Sequence, residues 1–180
     1  MKKMIIGGLV GGLILFVWQS LSWTVLNIHK SQTDYTPAQT QILQALSQAN
    51  LPEGSYFLPN VSPDVPASQH QDEMQKFMGK PWATLTYHHQ MKASMGMNLF
   101  RGFVINFLSV LLLCYVLLGD NALTFKKVIT ACLAIGAISY MLEPYLYSIW
   151  FQTNTIPDLL DAGIQWTLAG LFLAWYLPKK

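Results

Sequence analysis

Four long apolar blocks alternate with polar segments along the chain, and they predict its architecture. A membrane-spanning helix needs about 20 consecutive apolar residues, and each block approaches or exceeds that length. The blocks cover residues 4–26, 99–118, 128–150 and 159–177. The pattern predicts an all-α membrane protein built as a bundle of four transmembrane helices.

Lysine pairs at the ends of the blocks predict the orientation of these helices. Basic residues accumulate on the cytoplasmic side of membrane proteins. An even number of spans places three pairs on one side: Lys2–Lys3, Lys126–Lys127 and Lys179–Lys180. We therefore predict a multi-pass protein of a bacterial-type inner membrane, N-in and C-in, with residues 29–98 extracytoplasmic. The first block is expected to remain as an uncleaved anchor, since its apolar run continues through Leu26.

The segment between the first two blocks has the patterning of a small α+β module. A helix is predicted to begin after Thr36 as its N-cap, with Pro37 at its first position, and a second helix near Ser68. Residues 55–59 and 82–89 favour strands because they are rich in aromatic and β-branched side chains. The predicted organisation is a first helix, an extracytoplasmic module and three further helices, over residues 1–28, 29–98 and 99–180.

A run of glycines near the start of the first block predicts a close helix contact. Small residues four positions apart allow two helix backbones to approach each other in a membrane. The run "GGLVGG" contains two such pairs and makes four helix-packing candidates: Gly7, Gly8, Gly11 and Gly12. Both a contact within this chain and a contact with another subunit agree with the pattern.

The amino-acid composition agrees with the predicted architecture, and it makes the few ionisable residues within the predicted spans notable. Hydrophobic residues make up 52% of the chain and charged residues 11%, against about a quarter charged in soluble domains. Glu143 is therefore notable, because a charge within a span is costly and normally faces a partner or water. It shares a predicted interior face with Cys132 and Gly136, and Pro144 after it is expected to disturb the helix.

The polar residues at the outer ends of the predicted helices form a candidate ligand-binding pocket. Its members are Glu143, Arg101, Asn106, Gln165, Tyr140 and Tyr147. The pocket would take a membrane lipid headgroup, a proton or a small amphiphile. The alternative is structural: Glu143 pairs with Arg101 or hydrogen-bonds to Gln165, and the tyrosines form an interfacial belt.

Histidine and methionine near the second block raise the question of copper. Thioether and imidazole ligands suit copper in an exported domain, and His88, Met91 and Met95 supply them. Methionine also fills irregular apolar gaps, so the prediction is that no metal or other cofactor is bound. Cys114 and Cys132 both fall within spans and form no C-x-x-C pair, which argues against thiol redox chemistry.

No catalytic motif accompanies these features. The sequence has no G-x-S-x-G, no H-E-x-x-H and no glycine-rich phosphate loop, and its topology excludes nucleic-acid binding. We expect a non-enzymatic accessory or structural component of a membrane assembly, with a protein partner or a second copy contacting helix 1 and the outer module. The alternatives are a lipid or small-ligand carrier with a pocket around Glu143, and a periplasmic copper-handling protein.

Overall fold

The chain forms two compact units in a computed structural model that describes residues 1–92 and 94–178. One unit joins Met1–Asp34 to Ser94–Lys180, and the other comprises Tyr35–Ala93. We refer to them as the helical unit and the module. Lys179 and Lys180, which entered the predicted orientation, lie outside the described residues, as does Ala93.

Helices dominate the structure, and the only strands among the described residues are two short ones. In chain order the elements are α1 (Lys2–Thr24), a 3₁₀ turn (Ile28–Gln32), α2 (Gln39–Gln48), β1 (Gly54–Leu58), a second 3₁₀ turn (Ala67–Gln69), α3 (His70–Gln75), β2 (Ala83–Tyr87), α4 (Met95–Leu118), α5 (Phe125–Tyr140), a π-helical turn (Met141–Tyr145), α6 (Leu146–Phe151) and α7 (Ile156–Tyr176).

Three helices of the described residues are long and apolar enough to cross a membrane. They are Lys2–Thr24, Met95–Leu118 and the continuous stretch Phe125–Phe151. The prediction of a membrane protein with helices at the first three apolar blocks is confirmed. The fourth block also forms a helix, α7, but α7 is not among these three candidate spans.

The helices of the helical unit pack as a row in the order α4, α1, α7 and α5. α7 runs antiparallel to α1 along almost its whole length. At one end the Trp18 indole donates a hydrogen bond to Asp161, and at the other the Lys3 ammonium donates one to the Leu177 carbonyl, at 3.4 Å. We call the first of these the Thr24 end of the helical unit and the second the Met1 end.

Glycines allow α1 to pack closely against α4. A Cβ atom at Gly12 would stand 2.6 Å from the Phe107 Cα atom, and one at Gly8 would stand 3.1 Å from the Leu111 Cα atom. Gly7 and Gly11 face Cys114 and Val110 in the same way. All four are buried within this chain, so the described helices occupy the glycine face.

The third span contains an irregular turn at the proline. Pro144 has no backbone N–H and cannot make the ordinary helical hydrogen bond, and residues Met141–Tyr145 form a π-helical turn around it. The helix continues beyond this turn to Phe151. At its start, the Thr124 hydroxyl accepts a hydrogen bond from the Lys127 N–H and caps α5.

The module consists of an antiparallel pair of strands and two short helices. β1 and β2 are antiparallel, with Gly54 opposite Tyr87 and Leu58 opposite Ala83. The predicted helix after Thr36 is present but begins at Gln39, because the Thr36 hydroxyl accepts a hydrogen bond from the Ala38 N–H and holds a turn. Tyr87, which is 8% exposed, is the one buried residue among those described in the module.

A buried polar network as the candidate functional site

The principal polar cluster of the helical unit lies at the Thr24 end, around His29 and Asp161. These side chains are 4% and 11% exposed. The chain reaches this position because Asn27 adopts a left-handed conformation with φ of 50°, which asparagine tolerates better than most residues. The 3₁₀ turn that follows brings His29 back onto α7, so the helical unit extends to Asp34, beyond the predicted boundary at residue 28.

Asp161 accepts hydrogen bonds from three side chains. Its Oδ1 atom accepts one from the Trp18 indole at 3.0 Å and one from the Ser22 hydroxyl at 2.7 Å. Its Oδ2 atom lies 2.9 Å from the His29 Nε2 atom. The Trp23 ring stacks on the imidazole, with centroids 4.0 Å apart and planes 5° apart. A buried carboxylate is costly unless paired and hydrogen-bonded, and Asp161 meets both conditions.

Gln32 extends the cluster to the loop between α6 and α7. The Gln32 Oε1 atom lies 2.6 Å from the His29 Nδ1 atom. Its amide nitrogen donates to the Asn154 carbonyl at 2.8 Å and to the Asp158 carboxylate at 2.6 Å. The Asn154 amide donates in return to the Ser31 hydroxyl at 3.0 Å. Asp158, in the first turn of α7, thus accepts a bond from Gln32.

The surroundings of His29 favour its charged form. Burial by itself lowers the pKa of His29, but hydrogen bonds with Gln32 and Asp161 and the negative charges of Asp161 and Asp158 outweigh it. The net result is a pKa above the ordinary imidazole value of 6.5. Opposite charges and acceptors on both sides of the ring explain the direction of this shift.

A second polar layer lies deeper between the helices. The Gln19 amide donates to the Asn106 side chain at 3.2 Å and to the Gln165 side chain at 3.0 Å. Asn106 donates back to Gln19 at 2.8 Å and to the Gly102 carbonyl at 3.0 Å. Three neighbouring helices, α4, α1 and α7, are thereby joined by mutual amide hydrogen bonds.

Apolar packing replaces this network one helical turn further toward the Met1 end. Leu15, Val110 and Ala169 follow Gln19, Asn106 and Gln165 on their respective helices, and each is 2% exposed or less. Cys114, Cys132 and Leu173 continue the same core. Among the described residues the hydrogen-bonded network therefore ends part-way along the helices, and it forms no continuous hydrogen-bonded route to the Met1 end.

The predicted ligand-binding residues are divided among different places. Asn106 and Gln165 meet through Gln19, as described above. Arg101 is exposed and lines a groove of about 370 Å³ with Gln19 and Asn106. Glu143 is also exposed, and its side chain makes no hydrogen bond or ion pair with Arg101, Gln165 or any other described residue.

Glu143 lines a separate cavity of about 560 Å³ at the Thr24 end. Tyr147, Gln32 and Asp158 contribute to the same wall, together with the loop of residues 152–155. None of the described residues that line this cavity is basic. Tyr140 stands nearby and its hydroxyl is hydrogen-bonded to the Thr155 hydroxyl at 3.0 Å. The cavity therefore has two carboxylates and no internal cation.

The candidate copper ligands belong to different units. His88 and Met91 lie in the module, where His88 faces the Glu53 carboxylate at 4.0 Å and Met91 is 98% exposed. Met95 begins α4 of the helical unit. Across the described residues, no three His, Cys, Asp or Glu side chains are arranged to hold a metal ion.

The centre of the network was not predicted from the sequence, although polar residues within the first apolar block indicate it. Trp18, Gln19 and Ser22 lie within an apolar span at spacings that share one helix face, and polar residues within spans normally have partners. The arrangement is not that of a nucleophilic triad, because Ser22 bonds to the carboxylate and not to the imidazole. Its hydrogen bonds join α1 and the 3₁₀ turn to α7.

Comparison with protein-family models, with curated proteins and with solved structures finds no match for this chain.

Proposed function

We propose that this chain is a non-enzymatic, four-span integral protein of a bacterial-type inner membrane that serves as an accessory component of a membrane assembly. The module, residues 35–93, is the part that contacts the partner. The observation that carries this proposal is the module's poor core. A unit of about 60 residues is marginal without additional contacts, and in this one a single described residue, Tyr87, is buried.

The fourth span rests on the antiparallel pairing of α1 and α7. Because α1 is itself long and apolar enough to cross a membrane, a helix paired with it from Asp161 to Leu177 traverses a similar depth. The 21 residues of α7 extend about 30 Å, which is about the thickness of the hydrocarbon layer. With Lys2, Lys3, Lys126 and Lys127 at one end, the positive-inside rule favours N-in and C-in, with the module outside.

Apolar side chains on the module supply the surface for a partner. Ile42 and Leu43 of α2 are 50% and 58% exposed. Leu43 and Leu46 border a groove of about 580 Å³ whose other side includes Leu85 of β2 and the exposed Met91. Glu53 and Lys92 also line this groove, so it offers a partner both apolar and charged side chains. The glycine face of α1 is already occupied within the chain, so the module is the better candidate for partner contact.

Site-specific photo-crosslinking from α2 tests this proposal. A photoreactive residue at Leu43 in native membranes is expected to give one protein adduct of defined mass, because this side chain faces the apolar groove. The same residue at Gln48, also exposed on α2, is the matched control and should give little adduct. A monodisperse single-chain species after mild detergent extraction, with no adduct from position 43, would contradict the accessory role.

The cavity at Glu143 supports a second candidate function, the binding of an amine-bearing lipid headgroup or small amphiphile. Glu143 has no partner among the described residues, and its position in a π-helical turn is one often found at functional sites. Two carboxylates without an internal cation are complementary to an ammonium group, and Tyr147 offers an aromatic surface beside them.

Replacing Glu143 by Gln is expected to weaken the retention of phosphatidylethanolamine about tenfold or more, since a charge-assisted hydrogen bond contributes about 1.5–3 kcal/mol. Retention would be measured by native mass spectrometry of the purified chain. Stability should not change, because Glu143 contacts no described polar group. Asp120→Asn, at the other end of the bundle, is the control. Lost stability with unchanged lipid retention would instead indicate a structural role.

A further inference from the structure

Two hydrogen-bonded contacts join the 3₁₀ turn Ile28–Gln32 to the loop of residues 152–155. Gln32 donates to the Asn154 carbonyl, and Asn154 donates to Ser31. Gln32 also holds the first turn of α7 through Asp158. The same loop and the same glutamine form part of the wall of the Glu143 cavity. An interaction that holds the Gln32 side chain in place therefore also holds this part of the cavity wall in place.

The orientation of the Gln32 amide follows from its partners. A backbone carbonyl and a carboxylate oxygen accept hydrogen bonds, and both face the Gln32 nitrogen. Its oxygen must then be the atom that faces the His29 Nδ1 atom at 2.6 Å. An oxygen at this position only accepts, so Nδ1 carries a proton.

The second imidazole nitrogen also faces an acceptor. Asp161 already accepts from Trp18 and Ser22 as a carboxylate, and its other oxygen faces His29 Nε2. Because these neighbours raise the pKa of His29, the proton of this contact lies on the ring. With both ring nitrogens donating, His29 is an imidazolium ion held between Gln32 and Asp161.

We propose that His29 is a protonation-controlled latch, which holds the loop of residues 152–155 and the cavity wall in place through Gln32 when the ring is charged. The inference concerns the loop itself and does not depend on either proposed function. The charged side chains that face His29 are Asp161 and Asp158, both from α7. From α1, the described side chain against the ring is the neutral indole of Trp23.

When the His29 ring loses one proton, a single N–H group remains for two acceptors, the Gln32 oxygen and the Asp161 carboxylate. The proton remains toward Asp161, because a buried carboxylate is the stronger acceptor and has the larger penalty for losing its partner. The Gln32 oxygen then faces an unprotonated nitrogen at a distance below 3 Å, so Gln32 turns away and the loop loses its anchor. The latch is closed at low pH and opens as pH rises through the raised pKa of His29.

The sign of the effect on folding stability follows from the same comparison. Because the pKa of His29 is higher in the folded chain than in the unfolded chain, the stabilisation is fully present below about pH 6.5. It is lost as pH rises through the folded-state value. A histidine buried in the neutral form would give the opposite dependence.

A spin label at residue 153 and the ¹⁵N resonances of His29 test the latch in the full-length chain in nanodiscs. Thr153 is exposed in the loop, and the native Cys114 and Cys132 are 0% and 1% exposed, so Thr153→Cys is the preferred site of labelling. Both His29 nitrogens should show the imidazolium form at pH 6.5 and below. Label mobility should rise with pH, with the midpoint at which His29 loses its proton.

Gln32→Leu removes the acceptor for Nδ1 and should leave the loop mobile at every pH while lowering the His29 midpoint. Gln75→Leu, an exposed site in the module, is the matched control and should retain the pH response. A neutral His29 ring at pH 6.5, or loop mobility that does not follow the His29 midpoint, would overturn the proposal. The readouts involve neither a partner protein nor a lipid, so their failure is distinct from failure of the proposed functions.

Discussion

Replacing Asp161 by Ala is expected to destabilise the chain by about 3–5 kcal/mol, the usual cost of removing one member of a buried ion pair. Three donors, on Trp18, Ser22 and His29, lose their acceptor together. Reversible unfolding in mixed micelles near pH 6 measures the loss. Asp120→Ala serves as the control, because Asp120 is at the surface, bonded to Lys127 at 2.6 Å, and such exposed pairs contribute little.

Asp161→Asn separates the charge of Asp161 from its hydrogen bonds. The amide oxygen can still accept from Trp18 and Ser22, and the amide nitrogen can donate to a neutral His29 ring. We expect a smaller loss of stability than for Asp161→Ala, together with loss of the pH dependence assigned to His29. Equal stabilities for Asp161→Ala and the unchanged chain would show that the network does not hold the bundle together.

Gly12→Ala is expected to have the second large effect, a loss of about 1–3 kcal/mol typical of an overpacked interface. The added methyl group would stand 2.6 Å from the Phe107 Cα atom and 2.8 Å from its nitrogen. Backbone atoms cannot rotate away, so α1 and α4 must separate along the contact.

Gly163→Ala is the matched control for Gly12→Ala. It is also a glycine within a long helix, but no described atom lies within 4 Å of its hypothetical Cβ atom beyond its own local backbone. We expect this variant to be neutral or slightly stabilising, since glycine is less favourable than alanine within a helix. Equal losses in the two variants would mean that helix propensity, and not the contact with α4, determines the result.

Helices were predictable here because their signal is local and long. Apolar blocks identified α1, α4 and the third span, and the strand-favouring runs gave β1 and β2. The start of α2 was wrong because Thr36 holds a turn with Ala38 instead of capping the helix at Pro37. A short polar side chain can make either bond, and nothing local distinguishes them.

The position of Glu143 was harder to predict because it depends on accumulated rotation about a helix axis. Buried Cys132 and Gly136 follow the predicted interior face of α5. The π-helical turn at Met141–Tyr145 then inserts extra backbone, and each residue in an α-helix turns by about 100°. Glu143 consequently lies on the exposed side, away from Arg101 and Gln165. Pro144 indicated that the helix would be irregular, but it did not indicate toward which side Glu143 would turn.

The pairing of His29 with Asp161 was not predicted because it depends on tertiary structure. They are 132 positions apart in the chain. His29 follows a break in α1 that is set by the left-handed Asn27, and the predicted boundary at residue 28 assigned it to the module. Sequence spacing within one helix indicates a shared face, but it does not indicate which distant segment covers that face.

The long separation between the partners in the polar network imposes an order on the biogenesis of this protein. Trp18 and Ser22 lie on α1, which is synthesised before α7, whereas Asp161, their acceptor, lies 143 and 139 positions later. Until α7 is made, the polar face of α1 has no acceptor from that helix. Until then the donors on α1 need other acceptors, such as water, lipid headgroups or the insertion machinery, and α7 completes the network when it packs against α1.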